Sequence, residues 1–207
     1  GSAEKISKKF LILFLRDFRK NDLNNGGQGA PIGSYYHKYI LKKLSSNSAI
    51  VNLGGISNIT YYNNKVLISF DMGPANTIID NLMDFFYEKN FDKNGAKAKK
   101  GKTILSIIRK FELDNYFKKR YPKSLDINYF NKYTKLLKKH KPEDALYTAT
   151  LMSVISLKFG IKLLNENIKT LILTGGGRKN KFLIKSFEKK IDCPLIKIDD
   201  FNVNGDF

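Results

Sequence analysis

Asp71 is the residue whose surroundings most invite chemistry. It ends the extended run from Lys65 to Phe70 and is followed at once by Met72-Gly73-Pro74-Ala75-Asn76. A carboxylate carried to the end of a strand, with glycine beside it and a helix start behind it, can accept a proton from a reacting group. The backbone N–H groups of that helix's first turn can face an anion at the same time. By spacing alone the same residues equally describe a surface hairpin with an Asp-Gly-Pro turn. Three further groups could do chemistry. Asp17-Phe18-Arg19 pairs an acceptor with a forked donor, suited to a hydroxylated, carboxylated sugar or to a structural ion pair. The turn Asn24-Asn25-Gly26-Gly27-Gln28-Gly29 allows close backbone approach, and Gln28 offers both donor and acceptor. Gly175-Gly176-Gly177 breaks a strand and could admit a flat ligand or serve only as a tight turn.

Several elements must position these groups. Residues 10–15 form an apolar run of buried-strand length, and residues 35–44 read as a helix that carries His37 among aromatic and apolar neighbours. A strand over 50–53 enters Gly54-Gly55. A second runs over 56–62, and Asn63-Asn64 forms a two-residue type I′ turn into the third over 65–70. A helix over 77–88, capped by Asn76 or Thr77 and with Asp80 in its first turn, sets Ile78, Ile79, Leu82, Phe85 and Phe86 on one face. A lysine-rich connector (89–101) and a helix over 103–111 follow. Pro122-Lys123-Ser124, ahead of Tyr129-Phe130, reads as a docking loop that seats aromatics. Pro142-Glu143-Asp144 opens a long helix that is apolar on most sides and therefore buried. Strand 168–174, the glycine loop, helix 180–190 and strand 194–198 make an α/β layer.

Composition narrows the classes. The chain has 207 residues, 42% of them hydrophobic, enough for one sizeable core or two lobes. Cys193 is the single cysteine, so no internal disulfide forms and a reducing cytoplasm is the expected compartment. No run reaches the length of a membrane span, and no signal peptide is visible. The net charge is +18, from 37 basic and 19 acidic residues. These lysines are scattered through every segment, and no zinc-finger, RNA-binding aromatic motif or recognition helix accompanies them, so a basic nucleic-acid-binding module is the weaker alternative.

Four stretches carry a family resemblance. VNLGGISNITYY with FDMGPANTIID, DFRKNDLNNGGQGAPIGSYYHKYI, FDKNGAKAKKGK and LTGGGRKNKFL resemble segments of anhydro-N-acetylmuramic acid kinases, of the actin/hexokinase-like ATPase superfamily, and occur along the chain in that family's order. The first two are highly specific and the glycine loop alone is weak. The resemblance implies an α/β fold: a partial two-lobe actin-like (ribonuclease H-like) kinase, with residues 1–48 the remainder of a sugar-side lobe and 49–207 the second lobe with a nucleotide loop and a helical insertion. It implies ATP-dependent conversion of 1,6-anhydro-N-acetylmuramic acid to N-acetylmuramic acid 6-phosphate with hydrolytic opening of the anhydro ring. Asp71 becomes the catalytic base. Asp17, Arg19, Gln28 and Asn76 become sugar-binding. Gly54, Gly55, Gly73, Gly175, Gly176, Gly177 and Asn180 become ATP-binding. Mg²⁺ accompanies ATP with no residue of this chain assigned to it. Another sugar kinase, or a non-catalytic ATPase lobe, is the alternative within the superfamily.

The partners implied are the sugar and ATP, with neither nucleic acid nor membrane, and the oligomeric state is left open, a homodimer included. The chain departs from the family pattern at both ends. The Gly-Thr-Ser-x-Asp-Gly phosphate hairpin is absent, and Asn204-Gly205-Asp206 begins a signature that is cut short, so the chain reads as truncated and inactive alone. Met72 replaces a threonine usual before Gly-Pro.

Overall fold

A computed structural model of the chain describes residues 20, 24–25, 33–44, 47–203 and 205. Helix α1 (Ser34–Lys43) leads into three strands, β1 (Ser48–Leu53), β2 (Ile56–Tyr62) and β3 (Leu67–Pro74). These form an antiparallel meander. Helix α2 (Thr77–Tyr87) follows. Then comes an insertion with two 3₁₀ turns and helices α3 (Leu105–Glu112), α4 (Asn115–Lys118) and α5 (Asn131–Leu137). Helix α6 (Pro142–Leu164), strand β4 (Thr170–Thr174), a 3₁₀ turn (Gly176–Lys179), helix α7 (Lys181–Glu188) and strand β5 (Leu195–Lys197) complete the order. The sheet runs β3-β2-β1-β4-β5, with β4 parallel to both β1 and β5.

The two faces of the sheet differ because its side chains alternate. Ala49, Val51, Leu53, Ile59, Tyr61, Phe70, Met72, Leu171 and Leu173 point to one side and close a core with Val154, Leu157 and Leu164 of α6 and Leu183 and Phe187 of α7. Gly160 lets α6 pass over β3, since a Cβ there would stand 2.3 Å from Met72 Cγ. On the other side Ile50 and Ile172 meet Ile40 and Leu41 of α1, and His37 Nδ1 lies 2.9 Å from Thr60 Oγ1. The insertion has its own core, in which Phe111, Tyr116, Phe130 and Tyr133 pack with α2 and the first half of α6. Helix α6 is long and apolar enough to cross a membrane. It lies instead between the two cores, and most of its inward residues are buried.

Three local expectations are corrected. The hairpin after β2 is a four-residue loop, and only Asn64 has positive φ (67°). Asn63 works through its side chain, which accepts from the N–H groups of Lys65 and Val66. Strand β3 does not end at Phe70 but runs to Pro74, with a bulge opposite Ser57 and Asn58, so Asp71 lies within the strand. Phe85 leaves the buried face of α2 and is exposed, while Met83 is buried there.

Candidate active site

Register places four polar residues in one row across four strands. Thr174 on β4 pairs with Asn52 on β1, Asn52 with Asn58 on β2, and Asn58 with Asp71 on β3. Directly paired residues point to the same side of a sheet, here the side away from α6. The row starts beside the glycine loop, which follows Thr174, and ends at the carboxylate. The Thr174 hydroxyl donates to Asn52 Oδ1 at 3.4 Å. Asn58 Oδ1 is buried and has no hydrogen-bond partner among the described residues.

Asp71 is 7% exposed although β3 is an edge strand. The segment 119–126 of the insertion covers that edge. The Asp71 N–H donates to the Lys123 carbonyl (3.1 Å), the Leu125 N–H donates to Asp71 Oδ2 (2.8 Å), and the Tyr116 hydroxyl donates to the Asp71 carbonyl (2.6 Å). Burial and the nearby Asp71 charge push the Tyr116 phenol far above its usual range, so it stays a donor. Tyr121 from the same segment stacks on Phe70, with ring centroids 5.2 Å apart. Lys123 is buried with its ammonium 4.3 Å from the Tyr116 ring centre, and among the described residues it donates one long bond, 3.5 Å, to the Tyr116 carbonyl. Burial pulls its pKa down to about 8, against the pull of Asp71 and with the help of Lys119. A carboxylate fixed on one oxygen by a backbone N–H keeps its remaining lone pairs in a set direction, as a proton acceptor requires.

The glycine loop is built by close approach. Gly175 has φ +74°, and a Cβ on it would stand 2.3 Å from Asn52 Oδ1. One on Gly177 would stand 2.8 Å from Leu53 Cβ, whereas one on Gly176 would meet nothing within 4 Å among the described residues. Open space therefore belongs to Gly176 and the left-handed backbone to Gly175. Arg178, 2% exposed, fixes the loop. Its Nε and Nη2 donate to Asp199 (2.6 and 2.8 Å), and its Nη1 donates to the Gly175 carbonyl (3.0 Å). The Gly175 N–H donates to the Gly205 carbonyl at 2.8 Å. In front of Gly176 lies a cleft of about 510 Å³, lined by Asn76, Asp80, Phe91, Lys93, Lys179 and Asn180 among others. That volume lies within the usual range for a small-molecule site. Burial raises the Asp80 carboxyl to about 6.

Of the residues expected at the site, Gly176, Gly177, Asn180 and Asn76 come together around the cleft. Two of their side chains also hold the frame. Asn76 donates to the carbonyls of Leu53 (2.9 Å) and Gly54 (2.7 Å), and Asn180 Oδ1 caps α7 by accepting from Phe182 and Leu183. The Gly54 and Gly55 carbonyls accept from the N–H groups of Ala75, Asn76 and Thr77, which ties the β1–β2 turn to the start of α2. Gly73 faces α6, where a Cβ would stand 2.4 Å from Ser156 Oγ. Asp17, Arg19 and Gln28 lie outside the described residues. Sequence reasoning missed Asn58, Tyr116, Lys123, Leu125 and Arg178. Only Pro122-Lys123-Ser124 gave a signal, read as an aromatic seat without its grip on Asp71. The FDKNGAKAKKGK stretch, Phe91 to Lys102, is a frame beside the cleft. Asp92 accepts from the N–H groups of Lys97 and Ala98, and Gly101 presses on the Glu143 backbone.

A family model described as anhydro-N-acetylmuramic acid kinase matches residues 1–207. A protein of that name from Legionella pneumophila (strain Paris) is 35% identical over 218 residues, which cover 100% of this chain and 58% of that one. Those from Pelagibacter ubique (strain HTCC1062) and Roseobacter denitrificans are 35% and 30% identical, covering 100% and 92% of this chain and 60% and 53% of theirs. The chain thus spans little more than half the length of these relatives. Among solved structures, a ligand-bound xylulose kinase from Lactobacillus acidophilus is similar with a TM-score of 0.50 and 12% identity, over 79% of this chain and 37% of that one. That likeness shows the fold.

Proposed function

The chain belongs to the anhydro-N-acetylmuramic acid kinase family, and from that premise we propose that it carries the proton-accepting carboxylate and one wall of the ATP site of such a kinase. The substrate is 1,6-anhydro-N-acetylmuramic acid, and the setting is cytoplasmic recycling of peptidoglycan. The observation that carries the reading is Asp71, buried on the polar face of an edge strand and held by the Leu125 N–H, at the end of a row that begins at the glycine loop. Asp71 takes one proton from water as the water oxygen bonds to the anomeric carbon. The bond from that carbon to the bridging oxygen breaks, and the freed oxygen takes the γ-phosphoryl group of ATP, releasing ADP. The cleft before Gly176 receives the nucleotide, with Lys93 and Lys179 on its wall. Asp17, Arg19 and Gln28 serve the sugar.

Mg²⁺ neutralises phosphate charge when it binds with ATP. Among the described residues no group of three His, Cys, Asp or Glu side chains could hold a metal ion, and the ion would be held by the nucleotide's phosphates.

The test is Asp71→Asn in the protein at full family length. Turnover falls by at least about 10²–10⁴-fold, while ATP affinity by calorimetry changes little. Turnover within a few-fold of the parent overturns the assignment of the base.

A further inference from the structure

We propose that Asn58 is a second ligand-facing group of the site. Its carbonyl oxygen accepts an O–H bond from the molecule held at Asp71, either the attacking water or a sugar hydroxyl beside it. This rests on the reading of Asp71 as the base.

Three observations meet at this residue. Asn58 is the direct cross-strand partner of Asp71, on the same side of the sheet; such partners have Cβ atoms about 4.5–5.5 Å apart. That spacing lets one small hydroxylic molecule touch both side chains. The register shifts at Ser57/Asn58, so the row next to Asp71 is set by a bulge, and bulges re-aim side chains beside functional sites. Asn58 Oδ1 is also buried and, among the described residues, unpartnered. The neighbouring polar groups on this face are engaged. Thr60 bonds Ser69 and His37, Asn52 receives Thr174, and Asp71 receives Leu125. A buried acceptor left unpaired costs free energy, which the fold retains where a ligand completes the bond.

The chemistry fits. A water molecule about to attack carbon needs both its O–H bonds directed elsewhere, so that a lone pair faces the carbon. Asp71 takes one hydrogen and, later, the proton. A neutral amide oxygen takes the other without competing for that proton. If the donor is a sugar hydroxyl, the same oxygen orients the ring over Asp71.

The test has two arms. In the 207-residue chain, Asn58→Val and Asn58→Ala are compared with the parent by thermal melting. An acceptor waiting for a ligand predicts a melting temperature unchanged or raised for at least one variant. Marked destabilisation of both overturns the proposal, because Asn58 would then be a structural group. In the protein at full family length, the variant that keeps its melting temperature loses about 10-fold or more in kcat/KM with unchanged ATP affinity. A loss in kcat identifies water as the donor, and a rise in KM for the sugar alone identifies a hydroxyl. Kinetics like the parent's, alongside a dead Asp71→Asn, overturn the role of Asn58 and leave the base standing. An active Asp71→Asn overturns the base and this proposal with it.

Discussion

At the scale of single residues, Lys123 is the group whose surroundings are least balanced. It is buried against Tyr116 and Phe70, and among the described residues its ammonium keeps one long hydrogen bond. Burial lowers its pKa, Asp71 is the charge that favours its protonated form, and burial joined by Lys119 outweighs Asp71. The folded chain releases this proton near pH 8, whereas an unfolded lysine holds it to about 10.5. Between those values the unfolded state binds more protons, so this group makes stability rise with pH across that window. Lys123→Met keeps the apolar stem and removes the charge. We expect the variant to be more stable than the parent at pH 7, because removing a poorly paired buried ion is often neutral or favourable. We expect its advantage to shrink by pH 10. Urea melts at the two pH values check this, and a constant difference between the proteins would show that Lys123 stays charged throughout.

At the scale of elements, the glycine loop separates two kinds of glycine that look alike in sequence. Gly175 has the left-handed backbone and the contact with Asn52, so Gly175→Ala should cost about 1–3 kcal/mol of stability. Gly176 has open space, so Gly176→Ala should fold within about 0.5 kcal/mol of the parent, while Gly176→Val should still fold and weaken ATP binding by filling the cleft. Denaturant melts and calorimetry separate the three. Equal destabilisation by Gly175→Ala and Gly176→Ala would mean that the loop adopts another backbone. The difference could not be read from three consecutive glycines, because it is set by Asn52 and Leu53, more than 120 positions earlier. The same limit explains the rest of the comparison. Helices α2 and α6 were legible from periodicity, a proline start and first-turn acids, and β4–α7–β5 from its glycine break. The motif that carries Asp71 was legible through resemblance. The hairpin was misread because two asparagines admit either a positive φ or a side-chain turn, and only packing chooses. The grip of Lys123, Leu125 and Tyr116 on Asp71 joins residues 45 to 54 positions apart, which no local pattern encodes. Asn58 could be seen only once the bulge had fixed the register.

At the scale of the whole molecule, a buried histidine and a half-buried carboxyl on different layers pull stability in opposite directions over one pH range. His37, on α1, is held near pH 4 by burial, below its ordinary 6.5. As pH falls through that interval the unfolded chain takes a proton that the folded chain refuses, so stability is lost; the full interval corresponds to ~3 kcal/mol. Asp80, on α2 at the cleft, is raised by burial to about 6 from 3.8. Here the folded chain takes the proton first, so stability is gained as pH falls from about 6 towards 4. The parent should therefore show a shallow profile in this range, flatter than either group alone would give. Asp80→Asn removes the compensating gain and should make stability fall more steeply between pH 6 and 4. At pH 7 the same variant should be more stable than the parent, since a neutral amide loses less than a carboxylate on burial. His37→Asn should do the reverse and leave a profile that rises on acidification. The two layers carry separate cores, one between α1 and the sheet and one among α2, α3, α5 and α6. The substitutions should then add without coupling, and the double variant should return a shallow profile. Chemical melts of the four proteins at half-unit steps from pH 7 to pH 4 decide this. A parent profile that Asp80→Asn leaves unchanged would mean that the cleft carboxyl is solvated as an ordinary surface group.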